Sequence, residues 1–214
     1  MKRLVVVPVF VLTCAFGGVA HSAVVLDQSQ TSVNIGVPLE FSPTSSDLPL
    51  GESFTAGMSG TLDSITLYGN GAIQGGSNSL TIEILAGNGT GGAVLGSVTD
   101  AVNQAPDDSF SLDVSAASVK VVSGSQYTFL VTGFSGAGDL PTRGVLGDNA
   151  NPYAGGQIYT GPGYGSPPSW DLAFQTYVST GVPEPASWAM LIVGFGMLAA
   201  TGWRNTRASA RSAV

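Results

Sequence analysis

Residues 79–85 read SLTIEIL and residues 126–133 read QYTFLVTG, and these two stretches decide the predicted fold. Every second side chain is apolar in each: Leu80, Ile82 and Ile84 in the first, and Tyr127, Phe129 and Val131 in the second. Successive side chains of a β-strand point to opposite faces, so a period of two predicts a strand with one buried face. The same alternation returns in SFSLDVS (109–115) and DLAFQTYV (171–178).

Short turn signals separate the alternating runs between residues 24 and 178. Three of them are triplets rich in glycine and asparagine, at residues 69–71, 87–89 and 147–149. No segment of this region has a convincing helical period of apolar residues. About eight to ten short strands joined by such turns are typical of an all-β, antiparallel β-sandwich. We therefore predict a jelly-roll-like β-sandwich as the domain of residues 24–180.

The first 23 residues are typical of a secretory signal peptide. The basic pair Lys2-Arg3 precedes an apolar run at residues 4–16, and small residues follow around Ala20 and Ala23. Cleavage after Ala20 and cleavage after Ala23 both remain open. The alternatives are a short buried helix and a lipoprotein anchored at Cys14, although the Val-Leu-Thr before Cys14 lacks the small side chains that usually precede a lipidated cysteine.

Removal of this peptide limits the kinds of catalytic and metal site that the exported domain can contain. The only cysteine, Cys14, is lost, and cleavage after Ala23 also removes the only histidine, His21. Loss of both residues excludes a disulfide framework, a Cys/His zinc site, a cysteine nucleophile and a Ser-His-Asp triad. Residues 24–180 hold 13 acidic side chains and only two basic ones, a net charge of −11. Such a surface repels phosphate groups, so we predict no nucleic-acid partner.

The segment of residues 181–214 is predicted to enter a membrane. Residues 186–203 carry no charge and, as a helix, would span roughly 27 Å, close to the thickness of a hydrocarbon core. Tryptophans stand near its two ends, where amphipathic rings prefer the interface. The basic tail then contains Arg204, Arg207 and Arg211. The positive-inside rule keeps this tail in the cytoplasm and the preceding domain outside.

Pro183-Glu184-Pro185 precedes this helix and is held extended, because proline fixes φ and restricts the residue before it. An extended segment is the usual form in which a protease or transpeptidase receives its substrate. Together with Trp188, Ala189 and the basic tail, the segment resembles the PEP-CTERM sorting signal in its PEPxxWA form. The three arginines are more widely spaced than in that pattern.

The resemblance implies recognition by an exosortase, a membrane-embedded cysteine transpeptidase of Gram-negative bacteria that make exopolysaccharide. The protein would be its substrate rather than an enzyme. It would be exported, anchored transiently in the inner membrane by residues 186–203, and then processed at the PEP motif for the cell surface or the extracellular space. A permanent single-span anchor is the alternative.

The order of strands and turns in residues 51–178 also resembles the bacterial choice-of-anchor domains. These are extracellular β-sandwiches that precede sorting signals of this kind. The resemblance implies a fold and a location, and it supplies no catalytic residues.

Three further features are candidates for binding sites: a glycine-rich loop, oxygen-rich loops and a group of aromatic residues. The sequence GNGTGG at residues 87–92 fits the letters of a dinucleotide-binding loop, but the following AVLGSVTD predicts a strand instead of the required helix, so we interpret it as a hairpin. Oxygen-rich loops with Asp107, Asp108 and Asp148 are candidates for calcium, with solvated acidic loops as the alternative. No other cofactor is predicted.

Aromatic residues crowd into the glycine- and proline-rich stretch of residues 151–170. Tyr153, Tyr164 and Trp170 are candidate contacts for sugar rings, and packing at one end of the sandwich is the alternative. Three functions follow. The first is a non-enzymatic exported protein sorted by an exosortase, the second a module that binds exopolysaccharide. The remote third is a secreted carbohydrate-active enzyme, because glycosidases need two carboxyl groups about 5–10 Å apart and no acidic residue here has a recognisable context.

Overall fold

The alternating runs form two antiparallel sheets in the computed structural model of the protein. The structure describes residues 22–39, 48–70, 78–102, 109–135, 143–161, 167–181 and 193–195. The chain divides into one unit of Ser22–Gly181 and another of Met1–His21 with Val182–Val214. All the strands described below belong to Ser22–Gly181.

Thirteen strands are found among the described residues. They are β1 (Ala23–Gln30), β2 (Ile35–Leu39), β3 (Leu50–Thr55), β4 (Gly60–Asn70), β5 (Ser79–Ala86), β6 (Val94–Ala101), β7 (Ser109–Asp113), β8 (Lys120–Val121), β9 (Gln126–Ser135), β10 (Arg143–Asp148), β11 (Ile158–Tyr159), β12 (Asp171–Leu172) and β13 (Phe174–Thr180). A short 3-10 helix, Ser115–Ala117, follows β7. The all-β prediction is therefore confirmed.

The larger sheet has eight strands and is organised by the long strand β4. Its main path is β1-β13-β4-β10-β12, with β2 paired to β10 and with β7 and β8 paired to β4. One edge of β4 pairs with β13, whereas the other edge pairs in turn with β8, β7 and β10. The smaller sheet has five strands in the order β11-β3-β9-β5-β6.

The inward faces of the two sheets form one hydrophobic core. The apolar members of the four alternating runs quoted above are all buried, which confirms their predicted orientation. Phe129 of the smaller sheet meets Phe174 of the larger sheet with ring centroids 5.6 Å apart. Two sheets that share a core in this way have the arrangement of a β-sandwich.

Strand β9 departs from the expected alternation because both of its faces are buried. Thr128 is 0% exposed and Leu130 is 3% exposed, although both lie on the face opposite Phe129. The Oγ1 of Thr128 donates to the carbonyl oxygen of Gly87 at 2.8 Å and accepts the N–H of Gly89 at 3.0 Å. The β5–β6 turn therefore folds over this face of β9.

Two of the three predicted turns are shifted. Gly69 and Asn70 continue β4 and pair with β10, and Gly147 and Asp148 end β10 instead of forming a turn. Inter-strand pairing outweighs the local preference of these residues for turns. The third turn is confirmed: residues 87–92 connect β5 to β6, with Gly87 and Gly89 at φ of 79° and 112°. The strand β6 after this turn also confirms the hairpin interpretation over a dinucleotide loop.

Candidate functional site

A carboxyl side chain lies on the core face of β3. Leu50, Glu52 and Phe54 alternate along this strand, and because Leu50 and Phe54 belong to the core, Glu52 points between the sheets. Glu52 is 0% exposed. Its Oε2 accepts the backbone N–H of Leu172 at 3.0 Å. Since β3 belongs to the smaller sheet and β12 to the larger one, this hydrogen bond joins the two sheets.

A second buried carboxyl group, Asp171, begins β12. It is also 0% exposed, and its Oδ2 accepts the backbone N–H of Tyr153 at 2.9 Å. The register of β10 with β12 places Asp171 opposite Asp148. The other oxygen of each buried carboxyl group, Glu52 Oε1 and Asp171 Oδ1, has no hydrogen-bond donor.

These surroundings disfavour negative charge on both groups. Burial raises the pKa of Glu52 well above its usual range, the N–H of Leu172 opposes this shift, and the charge of Asp171 adds to it. Burial also raises the pKa of Asp171, with the N–H of Tyr153 opposing the shift and the charge of Asp148 adding to it. A buried carboxylate needs a proton or a positive partner, because isolated buried charge is very costly.

Asp148, one of the three predicted calcium ligands, is a hydrogen-bond acceptor for neighbouring loops. Its Oδ2 accepts from the hydroxyl of Ser32 at 2.5 Å, and its Oδ1 accepts from Asn34 Nδ2 at 2.9 Å and from the N–H of Ala150 at 2.8 Å. The bond from Ser32 is the largest cause of the lowered pKa of Asp148, followed by the N–H of Ala150. Both oxygens are thus engaged by donors of the protein itself.

The other predicted calcium ligands, Asp107 and Asp108, lie outside the described residues. Within the part of the chain that the structure describes, no group of three or more His, Cys, Asp or Glu side chains is placed to hold a metal ion. Calcium at Asp107, Asp108 and Asp148 therefore stays a prediction.

The predicted sugar-contact residues differ in their surroundings. The ring of Tyr153 packs edge-on against Phe174 at 5.2 Å, and its hydroxyl donates to Gln28 Oε1 at 3.0 Å and accepts the N–H of Thr55 at 3.2 Å. Trp170 is half-buried and packs against the core. Tyr164 lies outside the described residues. Polysaccharide contact by these residues stays a prediction.

Only a short part of the C-terminal segment is described. Residues 193–195 are helical, with Val193 and Phe195 exposed. The remainder of the predicted membrane helix 186–203 lies outside the described residues, as do residues 1–21 of the predicted signal peptide, the PEP motif with Trp188 and Ala189, and the arginines of the tail. Among the residues that are described, no helix has the length and apolar character needed to cross a membrane.

Sequence reasoning did not single out Glu52 and Asp171 as a pair, although both carry a signal. Glu52 occupies an apolar position of the alternating run Leu50–Phe54, and Asp171 directly precedes the buried run Leu172–Phe174. Neither signal shows that Glu52 bonds the backbone of the residue next to Asp171, because that depends on the packing of opposite sheets.

The described unit is thus an all-β domain of two antiparallel sheets, followed in the chain by a segment with a separate role. Residues 181–208 match the family model of the PEP-CTERM protein-sorting motif. The match confirms the predicted sorting signal and makes this protein one that is exported and sorted. No curated protein matches the chain.

Proposed function

We propose that this protein is a non-enzymatic, exported jelly-roll β-sandwich that an exosortase cleaves at Pro183-Glu184-Pro185. The product would be released or attached at the cell surface or within the exopolysaccharide matrix. The chain would be the substrate of the sorting reaction, recognised through its extended PEP segment while the helix of residues 186–203 holds it in the inner membrane.

The observation that carries this proposal is the sorting-motif match at residues 181–208. The match begins where the last strand ends, since β13 stops at Thr180. A processing enzyme that cuts at residues 183–185 would therefore leave every described strand of the domain intact. Proline disfavours both helix and sheet, so a segment with this sequence should be accessible to such an enzyme.

The test is the intact mass of the protein recovered from the medium, the cell surface and the membranes of its own host. For the wild type we expect a C-terminus near residues 183–185, with or without an added group. Glu184→Ala should instead accumulate in membranes with residues 186–214 attached, and most of the processed product should be lost. Loss of the host exosortase should give the same result.

Ser187→Ala is the matched control, because it lies within PEPASWA at one of the two variable positions of the PEPxxWA pattern. It should be processed like the wild type. A full-length wild-type chain found only in membranes, unchanged when the exosortase is removed, would show a permanent anchor and contradict the proposal.

A further inference from the structure

The two buried carboxyl groups have a geometry that a packed core does not explain. Glu52 and Asp171 come from opposite sheets, and each has one oxygen held by a backbone N–H, of Leu172 and of Tyr153. These two bonds fix the orientation of each group. The remaining oxygens, Glu52 Oε1 and Asp171 Oδ1, are shielded from solvent and accept no hydrogen bond.

No basic side chain that the structure describes forms an ion pair or a hydrogen bond with Glu52 or Asp171. Lys120, the one lysine of residues 24–180, places its Nζ 2.5 Å from the hydroxyl of Thr61. Burying a charge without a partner is strongly destabilising, and pairs of buried carboxyl groups therefore share a proton or bind a cation. Oxygen atoms without donors, held in fixed positions, are the ligands that a hard cation requires.

We propose that Glu52 Oε1 and Asp171 Oδ1 bind one hard divalent cation, with Ca²⁺ as the expected ion, that links the two sheets. Ca²⁺ takes six to eight oxygen ligands, so backbone carbonyl groups and water would complete the site. The cation would supply the positive charge that the core lacks and would connect β3 to β12, beside the hydrogen bond that already joins them. Glu52 and Asp171 are not among the calcium ligands predicted from the sequence, which are Asp107, Asp108 and Asp148.

The test is thermal unfolding of the protein purified from its host, after treatment with EDTA and after addition of Ca²⁺. Extracellular modules bind Ca²⁺ with dissociation constants of about 10⁻⁴–10⁻³ M, so a 100-fold excess corresponds to about 10–100 mM Ca²⁺. At a 100-fold excess over the dissociation constant we expect the midpoint to rise by about 5–10 °C. Isothermal titration calorimetry should give one Ca²⁺ ion bound per chain.

Two variants assign the response to the pair. Glu52→Gln and Asp171→Asn keep the size of each side chain and remove its charge, and each should abolish the Ca²⁺-dependent rise. Glu83→Gln, which removes a charge from a half-buried position of β5, is the matched control and should retain the full rise.

The proposal is overturned if Ca²⁺ leaves the wild-type midpoint unchanged, which would mean that the carboxyl groups hold a proton instead. It is also overturned if either variant keeps the full response. If both variants fail to fold, terbium bound to the wild type decides the matter. Emission sensitised through the neighbouring Tyr153 or Trp170 and displaced by Ca²⁺ supports the site, and its absence contradicts it.

Discussion

Glu52 shows how much a single residue can depart from its local pattern. The strand β3 presents apolar side chains to the core on either side of it, and a carboxyl group at such a position normally destabilises a fold. Its retention requires a compensating partner, and the hydrogen bond to Leu172 satisfies only one of its two oxygens. A departure of this kind is a reason to look for a ligand.

Gly156 is a second residue whose identity is set by close backbone contact. A Cβ atom at this position would collide with the carbonyl oxygen of Ser53. Gly156→Ala should therefore force the loop away from β3, with a loss of about 1–3 kcal/mol in the free energy of unfolding. Urea denaturation measures this loss.

Gly91→Ala is the control for this change, because a Cβ atom at Gly91 meets open space and the residue does not have a positive φ. It should change the free energy of unfolding by less than about 0.5 kcal/mol. Equal losses in the two variants would show that the contact with Ser53 is unimportant.

Asp113 gives a prediction about pH. Its Oδ1 accepts from the hydroxyl of Ser115 at 2.6 Å and from the N–H of Ser115 at 2.9 Å, and these bonds lower the pKa of Asp113. A lowered pKa means that the stabilisation is present above the usual value of about 3.9 and is lost as the pH falls through the lower folded value. Because the group is exposed, the contribution should stay below about 1 kcal/mol.

Asp113→Asn tests this prediction. Near pH 7 the variant should be slightly less stable than the wild type, and the difference should vanish at pH values below the folded pKa. Urea midpoints of the variant and the wild type, measured from pH 2 to pH 7, give the stability difference at each pH. A difference that stays constant at all pH values would contradict the assigned role of the charge.

At the scale of elements, β9 is a central strand of the smaller sheet. It pairs with β3 on one side and β5 on the other, and its Phe129 contacts Phe54 and Phe174. The strand β6 is different: among the described strands it pairs only with β5, and it exposes 57% of Val94. Substitutions in the two strands should therefore have very different effects.

Phe129→Ala should lower the free energy of unfolding by about 3–5 kcal/mol, because it leaves a cavity where the two sheets meet. Val94→Ala removes apolar atoms that are largely exposed to solvent, and it should lower the free energy of unfolding by less than about 0.5 kcal/mol. Chemical denaturation of both variants checks the ranking. Similar losses would mean that the inter-sheet aromatic contact does not stabilise the domain.

Element boundaries show where local signals fail. Gly69 and Asn70 are residues that favour turns but lie in β4, because β10 supplies pairing partners for them. Thr128 belongs to the polar half of an alternating run but is buried, because the β5–β6 turn covers it. In both cases the deciding partner is distant in sequence, and a local pattern does not contain it.

For the whole molecule, the sequence by itself determined the class of fold, the hairpin at residues 87–92 and the sorting motif at residues 181–208. Each of these depends on residues close together in the chain: a period of two, a pair of glycines, or a motif followed by apolar and basic residues. The tertiary structure alone decided that Glu52 meets the backbone at Leu172, 120 residues away, and that Asp171 lies opposite Asp148. Packing two sheets brings together positions that no periodicity relates, so the buried carboxyl pair emerged only from the folded chain.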